Sequence, residues 1–242
     1  MNEYGLTLVA RLSHSDTLDI AVRELAERFE TMWSGRGLQW SPYPREQRHT
    51  TVLGLVRSQP RPITLEWLPA DFLEVLGLLC DDVVSCSPVT LFFESVLVDG
   101  NGTVMTYAPN APSSFSHLQR IWKGIVGERV SSSRQGWDRK NERGESLFQI
   151  KYGTYMAFST IGQLVATKTQ TTAGSGGEKE LLFRWRSHLE IPISDLGMVH
   201  YASRTLSDVR GEVVLPLEGR SPQEHRFVRL EGLRLSRGSG RV

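Results

Sequence analysis

Cysteine is scarce in this chain of 242 residues, which contains only Cys80 and Cys86. Two thiols with no histidine nearby do not make a zinc site, and we expect both to be reduced, as in a cytoplasmic protein. An excess of charge of one sign is also lacking, because the formal net charge is +1. No overall field therefore draws the chain strongly to duplex DNA or to a membrane, although a small phosphorylated ligand needs only local donors.

Long apolar runs are missing too. No stretch reaches the roughly 18 apolar residues of a membrane span, and the first residues lack a basic region followed by a long apolar core. We therefore expect no signal peptide, no membrane association and a cytoplasmic location. The G-x-x-x-x-G-K-[ST] and G-x-S-x-G patterns are absent. Histidines 14, 117, 188 and 225 show no metal-like pairing and are expected at the surface, so neither metal nor cofactor is predicted.

The periodicity of the apolar residues predicts helices and strands in mixed order. Apolar residues recur at helical spacing over 15–33 and 113–130, and a third helix is predicted from about Pro69 to 83. Strands are predicted over 4–12, 49–56, 147–162, a hairpin over 88–109, and several segments after 181, including 225–235. Runs of strands following helices favour an α+β fold, and the length suits a single domain over 1–242.

Besides the loop rich in Gly and Pro over 34–47, three segments are predicted to lie outside this regular structure. Residues 131–146 and 167–180 are polar or rich in Gly and Ser and are expected to be flexible loops, and the tail 236–242 is expected to be frayed. The first loop places four cations around Trp137, a combination that could hold single-stranded nucleic acid by stacking and charge. Three acidic neighbours dilute that charge, so a solvated surface loop is the stronger interpretation.

The stretch His49-Thr50-Thr51 opens the apolar run that continues to Val56. Because strand side chains alternate between two faces, His49 and Thr51 point the same way. An unperturbed imidazole can both accept and donate a proton near neutral pH, and a hydroxyl two residues on can donate to a phosphoryl oxygen. His49 and Thr51 are therefore candidates for half of a phosphate site.

This His-x-Thr strand start, placed after a strand and a helix and before helix, hairpin and helix, resembles the first motif of the 2H phosphoesterases. These proteins are also called the 2′-5′ RNA ligase-like or cyclic phosphodiesterase superfamily. The resemblance implies a bilobal, pseudo-symmetric fold, with two antiparallel sheets around a central cleft and helices outside. It also implies metal-independent acid and base catalysis by two histidines on 2′,3′-cyclic or 2′,5′-linked phosphodiesters.

The second motif has two candidates. Tyr152-Gly153-Thr154 lies on a predicted strand with its threonine in register, but tyrosine stands where the family has histidine. His200 follows an apolar lead, but Ala202 fills the hydroxyl position. When the roles of the family's motif residues are carried over to these positions, His49 and His200 are the candidate catalytic residues. Thr51, Tyr152 and Thr154 are then the candidate phosphate-binding residues.

Three functions remain open from the sequence. The first is an enzyme, expected to be a monomer, acting on the phosphodiester of a nucleotide or RNA end. The second is a catalytically degenerate module that binds such a ligand in the same cleft. The third is a partner-binding protein, in which Trp33, Trp40 and Tyr43 form an exposed aromatic patch.

Overall fold

A computed structural model of the chain describes residues 3–33, 38–132, 134–141, 143–148, 156–166, 179–219 and 230–235. Three long helices run over α1 (Asp16–Trp33), α2 (Phe72–Ser85) and α3 (Ser113–Ser131). The strands are β1 (Tyr4–Arg11), β2 (Leu38–Pro42), β3 (His49–Gln59), β4 (Val89–Asp99), β5 (Thr103–Ala108), β6 (Ala157–Ala166), β7 (Lys179–Ile193), β8 (Asp195–Tyr201) and β9 (Val209–Pro216).

Local signals place most of these elements. The hydroxyl of Ser15 accepts a hydrogen bond from the backbone N–H of Leu18 at 3.1 Å, which caps α1 as a serine before a helix is expected to do. Gly102 closes the β4–β5 hairpin with a φ of +78°, a conformation that glycine adopts without strain. The first strand, the three helices and the hairpin are therefore formed where the sequence predicts them, within a few residues at their ends.

Other predictions are wrong in their bounds. Strand β2 lies within the segment predicted as a Gly- and Pro-rich loop, because it pairs with β6 from Leu38↔Ala166 to Pro42↔Gly162. Of the strand predicted over 147–162, residues 149–155 lie outside the described residues, and the described strand is β6, Ala157–Ala166. Residues 230–233 form a 3₁₀ turn rather than an added strand. For β2, the pairing with a distant strand decides the conformation.

The nine strands of the described ranges belong to one sheet in the order β7-β4-β5-β6-β3-β1-β8-β9, with β2 paired to β6 off this path. Every pairing between these strands is antiparallel, which confirms the predicted α+β class with antiparallel strands. Strands β1, β3, β8 and β9 form one half-sheet, and β2 and β4–β7 form the other. The two half-sheets are joined where β3 meets β6, at the pair Thr50↔Ser159.

The main core lies between one face of this sheet and the helices. Leu6, Leu8 and Ala10 of β1 share a single buried cluster with apolar residues from all three helices, among them Leu25 and Leu118. We call this side of the sheet the helix face. The alternate residue Val9 belongs to a second, smaller cluster with Val199, Tyr201 and Leu206 on the other side. Since directly paired residues share a face, this side also carries His49, and we call it the His49 face.

The polar segment 131–146 is not solvated throughout, contrary to the sequence-based prediction. Trp137 is fully buried, and its indole N–H donates to a carboxylate oxygen of Asp71 at 2.7 Å. Arg129 and Arg134 donate to the other carboxylate oxygen at 3.0 Å each. Desolvation raises the pKa of Asp71, but its three hydrogen bonds to Trp137, Arg134 and Arg129 outweigh it and leave the pKa lowered. Trp137 is therefore a core residue and cannot stack on a base.

Residues 167–178 of the second predicted loop, and the predicted frayed tail 236–242, lie outside the described residues. None of the three long helices described above is long and apolar enough to cross a bilayer.

Candidate functional site

His49 begins β3 directly after a short 3₁₀ turn, Arg45–Gln47. This turn brings the backbone carbonyl of Gln47 to 2.7 Å from Nδ1 of the His49 ring. A carbonyl can only accept, so Nδ1 carries the proton and donates to it. The other ring nitrogen, Nε2, is left as the one with a free lone pair. This local arrangement fixes both the tautomer and the orientation of the imidazole.

The strand start is anchored from the opposite face of the sheet. Arg48, which is also buried, donates to a carboxylate oxygen of Asp19 in the first turn of α1 at 2.5 Å. It also donates to the carbonyl of Tyr43 at 3.0 Å. A buried guanidinium with two fixed acceptors holds this turn in one position. Sequence reasoning missed Arg48, although an arginine adjacent to a candidate site residue at a strand start was visible.

His49 is 9% exposed and stands opposite Arg11 of β1. Burial lowers the pKa of His49 to about 4; the hydrogen bond to Gln47 acts against this shift, and the positive charge of Arg11 adds to it. Arg11 is held by Glu212, whose carboxylate accepts from its Nε at 3.0 Å and from its Nη2 at 2.8 Å. His49 is therefore neutral at pH 7, in the form that can accept a proton.

A cavity of about 330 Å³ opens beside this ring. His49 and Thr51 line it together, as expected for two residues on one strand face, and Thr51 is exposed. Arg57 and Ser58 from the far part of β3 line it as well, with Tyr201 of β8 and Arg204. The site thus combines a neutral imidazole, a threonine hydroxyl and two guanidinium groups, which is a set of donors suited to an anionic ligand.

The two guanidinium groups differ in their freedom. Arg57 pairs with Glu145 at 3.3 Å and donates to the carbonyl of Ser146. Arg204 pairs with Glu3 and donates to the hydroxyl of Ser58 at 3.1 Å, but its side chain is 66% exposed. Both charges are therefore partly compensated, and Arg204 is the more easily redirected toward a ligand.

His200 does not join His49 in this cavity, contrary to the prediction that it could reach the same cleft. It pairs with Leu6 of β1, so it lies on the helix face, whereas His49 lies on the other face. Its Nδ1 is 3.2 Å from the carbonyl of Leu233, and its Nε2 is buried without a hydrogen-bond partner in the described structure. Burial lowers its pKa, with the bond to Leu233 opposing and Arg210 adding to the shift.

Tyr152 and Thr154 lie outside the described residues, and their predicted role stays a prediction. Both were predicted to lie on a strand over 147–162, and the strand found in this part of the structure is β6, which pairs with β3. In the structure the residues of β6 that flank the crossing point are Phe158 and Thr160, on either side of Ser159. They alternate with the buried Ser159 and are half-buried on the His49 face.

The crossing point relates the two strands by a local two-fold axis. An antiparallel pair at Thr50↔Ser159 makes Phe158 equivalent to His49 and Thr160 equivalent to Thr51. The same register places Thr51 opposite Phe158 and His49 opposite Thr160. The β6 segment 158–161 thus occupies the symmetric position of the β3 segment 49–52, with phenylalanine in place of histidine. Sequence reasoning missed it because it searched for a polar residue at the first position.

Phe158 does not stand alone on this face. It pairs with Tyr107 of β5, and their ring centroids are 5.1 Å apart, within the range of a favourable aromatic contact. An aromatic pair therefore lies at the position that is symmetric to His49. Three further histidines of the described ranges, His14, His117 and His188, are exposed as predicted, and none of them lines the cavity. His225 lies outside the described residues.

The aromatic patch predicted for a partner-binding protein is not formed as proposed. Trp40 packs on Phe29 of α1 with ring centroids 4.8 Å apart, and it covers Gly162, where an added Cβ would lie within its ring. Tyr43 is half-buried, and the side chain of Trp33 is outside the described part.

Within the described ranges, no three acidic, histidine or cysteine side chains are grouped so that they could hold a metal ion.

No protein-family model and no curated protein matches the sequence. Among solved structures, the chain is similar to the Thermus thermophilus protein TT0787, with 17% identity and a TM-score of 0.45, over 91% of this chain and 100% of that one. It is similar to a phosphoesterase at 13% identity and a TM-score of 0.44, over 88% and 99%. It is also similar to E. coli LigT in its apo form, at 11% identity and a TM-score of 0.43, over 90% and 96%.

A phosphoesterase is thus among the structures to which the chain is similar. At such identities and TM-scores, the function of this chain has to be argued from its own side chains.

Proposed function

We propose that the His49 cavity binds the phosphodiester of a nucleotide or RNA end, and that His49 acts on it as a base without a metal ion. The observation that carries this proposal is the bond from His49 Nδ1 to the carbonyl of Gln47, since it leaves Nε2 free beside Thr51. The sequence resemblance supports 2′,3′-cyclic or 2′,5′-linked esters as the substrates.

The proposed step moves one proton at a stated atom. His49 Nε2 accepts the proton of the attacking water while the water oxygen bonds to phosphorus. The bond from phosphorus to the ribose oxygen then breaks, the leaving oxygen takes a proton from solvent, and Nε2 releases its proton to solvent to restore the neutral base. Thr51 and Arg204 donate to the phosphoryl oxygens, where negative charge builds up. A neutral base is available at pH 7 because burial holds the pKa of His49 at about 4, although so low a pKa makes it a weak base.

A second function, binding without cleavage, is favoured by Phe158. The residue equivalent to His49 in the other half-sheet cannot donate a proton to a leaving group. In this candidate the cavity holds the same nucleotide or RNA-end ligand, and the ester survives.

One experiment decides between them. Turnover of a 2′,3′-cyclic mononucleotide and of a 2′,5′-linked dinucleotide is measured beside calorimetric binding, for the wild type and for His49→Ala. We expect His49→Ala to lower turnover at least 100-fold, because general base catalysis contributes about 10² to 10⁴, and we expect turnover to persist in a chelator.

The matched control is His117→Ala, an exposed histidine on α3 that does not line the cavity. Circular dichroism establishes that both variants are folded. Undiminished turnover in His49→Ala would contradict the catalytic proposal. Binding without product in the wild type would establish the second function instead.

A further inference from the structure

A second cavity of about 270 Å³ lies at the far end of β3 from His49. Its lining consists of eight residues at the end of this strand and in two later segments: Gln59, Pro60, Arg61, Trp67, Arg139, Lys140, Asn141 and Leu147. Three of these eight side chains are cations. The cavity shares no lining residue with the His49 cavity, and its lining residue Leu147 belongs to the main core.

The cations of this cavity have no acidic partner among the described residues. No ion pair there involves Arg61, Arg139 or Lys140, and Arg61 and Lys140 are exposed. A carboxylate nearby in the chain, that of Glu145, is already paired with Arg57. Three like charges around one concave surface concentrate a positive field there.

Arg139 gives a more specific indication. Its guanidinium lies over the ring of Trp67, with 5.4 Å between the guanidinium carbon and the ring centroid, so its plane is held in place. Its Nη1 is nevertheless buried and has no hydrogen-bond acceptor in the described structure. A buried, fixed donor without an acceptor is uncommon in folded proteins, and the cavity that Arg139 lines is the side from which an acceptor could approach this guanidinium.

The two cavities are neighbours along one strand. Arg57 and Ser58 line the His49 cavity, and Gln59, the next residue, lines the second one. Successive side chains of a strand point to opposite faces, and Gln59 pairs with Tyr4, two residues before Leu6, so the second cavity opens at the end of β3 on the helix face. A chain of several phosphates that passes around this strand end could place one phosphate at His49 and another in the second cavity, about 33 Å away at 3.3 Å per residue.

We infer that the Arg61–Arg139–Lys140 cavity binds a second phosphate group of a single-stranded nucleic acid whose reactive phosphodiester lies at His49. This inference rests on the proposed function and adds a site for the part of the ligand beyond the reactive ester. Its ligand is a chain of several nucleotides, because a mononucleotide has no phosphate to place there.

The test uses a series of single-stranded oligoribonucleotides of one to six nucleotides ending in a 2′,3′-cyclic phosphate. Affinity is measured by calorimetry or anisotropy at several salt concentrations, on the full chain. The variants are Arg61→Gln and Lys140→Gln, both at exposed positions, and Arg139→Lys, which keeps the charge and loses the planar fork. The control is Lys123→Gln, which removes the same charge from the exposed side of α3.

We expect affinity in the wild type to rise at the lengths that reach the second cavity from His49, and Lys140→Gln or Arg61→Gln to weaken binding of these longer oligonucleotides about tenfold. The slope of log affinity against log salt should fall by about 0.7 for each phosphate contact removed. The mononucleotide should bind all variants equally. Arg139→Lys should weaken the longer ligands with little change in slope, because the charge remains.

Affinity that does not depend on length overturns the inference, as does an equal loss for Lys123→Gln or an equal loss for the mononucleotide. If the wild type still binds or cleaves the mononucleotide in those cases, the proposed function stands without the second site. If the wild type neither binds nor cleaves any member of the series, both fail. Tighter binding of an acidic peptide than of the oligonucleotides would assign the cavity to a protein partner and overturn the inference as well.

Discussion

The two half-sheets meet at the pair Thr50↔Ser159, where their backbones are related by a local two-fold axis. The side chains that these related positions place on the His49 face are different. On β3 the positions on either side of the crossing are His49 and Thr51; on β6 they are Phe158 and Thr160. The hydroxyl is kept in both halves, whereas the imidazole is present in only one. The half with the imidazole also has the cavity, and the other half has an aromatic pair, Phe158 and Tyr107.

This difference separates two requirements of phosphodiester chemistry. Holding a phosphoryl group needs donors, which threonine and arginine supply regardless of pH. Moving a proton off one oxygen and onto another needs groups that titrate near the working pH, and phenylalanine has none. The molecule retains donors suited to such a ligand, and it retains one of the two groups that the resemblance associates with cleavage.

The largest change should come from restoring the missing imidazole by Phe158→His. A second histidine at the symmetric position could protonate the leaving oxygen, and general acid catalysis is worth about 10² to 10⁴. We expect turnover of a 2′,3′-cyclic nucleotide to rise by about 100-fold, with a new decline of rate at higher pH as the added imidazole loses its proton. The measurement is kcat/KM from pH 4 to 9.

Phe158→Asn is the matched control, since it changes the size of the side chain without adding a titrating group. A rise in rate with asparagine as large as that with histidine would show that the phenylalanine only obstructs the site. If neither variant raises the rate and ligand binding is unchanged, the claim that position 158 is functionally equivalent to position 49 is contradicted.

A smaller effect should distinguish the two threonines. Thr51→Val removes a hydroxyl that lines the cavity, whereas Thr160→Val removes one that does not. A hydrogen bond to a charged group contributes about 1.5–3 kcal/mol, so we expect Thr51→Val to weaken binding of a nucleotide ligand at least tenfold. We expect Thr160→Val to weaken it less than threefold. Equal losses of affinity in the two variants, measured by calorimetry, would instead indicate that the phosphate lies between the two strands.

The smallest effect on activity should follow His200→Asn, because this histidine lies on the helix face. Asparagine keeps a donor near the carbonyl of Leu233, so we expect about 1 kcal/mol lower stability and turnover per folded molecule within twofold of the wild type. A loss of turnover comparable to that of His49→Ala would show that His200 acts on the ligand after all.

The same variant has a pH signature. Both buried histidines have a lowered pKa in the folded state, His49 at about 4. Well above pH 6.5 both are neutral whether the chain is folded or not. As the pH falls through 6.5 the unfolded chain takes up protons first, so stability falls. Urea unfolding between pH 7.5 and 4.5 should show a shallower loss for His200→Asn than for the wild type.

Much of the fold was predictable from local signals. The period of the apolar residues in α1 and α3, the serine before α1 and the Asp99–Gly102 turn each act over a few residues, and all were placed correctly. Strand β2 was missed because its partner, β6, lies more than a hundred residues away. Trp137 was misjudged because its polar neighbours suggested solvent, whereas its partner Asp71 is also distant in sequence.

The candidate site divides in the same way. That His49 and Thr51 share a face and open toward one cavity follows from the two-residue period of a strand, which is a property of adjacent residues. Which face His200 occupies, and which residue of β6 meets Thr50, depend on register between strands that are distant in the chain. A shift of one residue in that register exchanges the two faces of a strand. The alternation of neighbouring strand residues thus accounts for the first half of the site, whereas the phenylalanine at the symmetric position follows only from the pairing of β3 with β6.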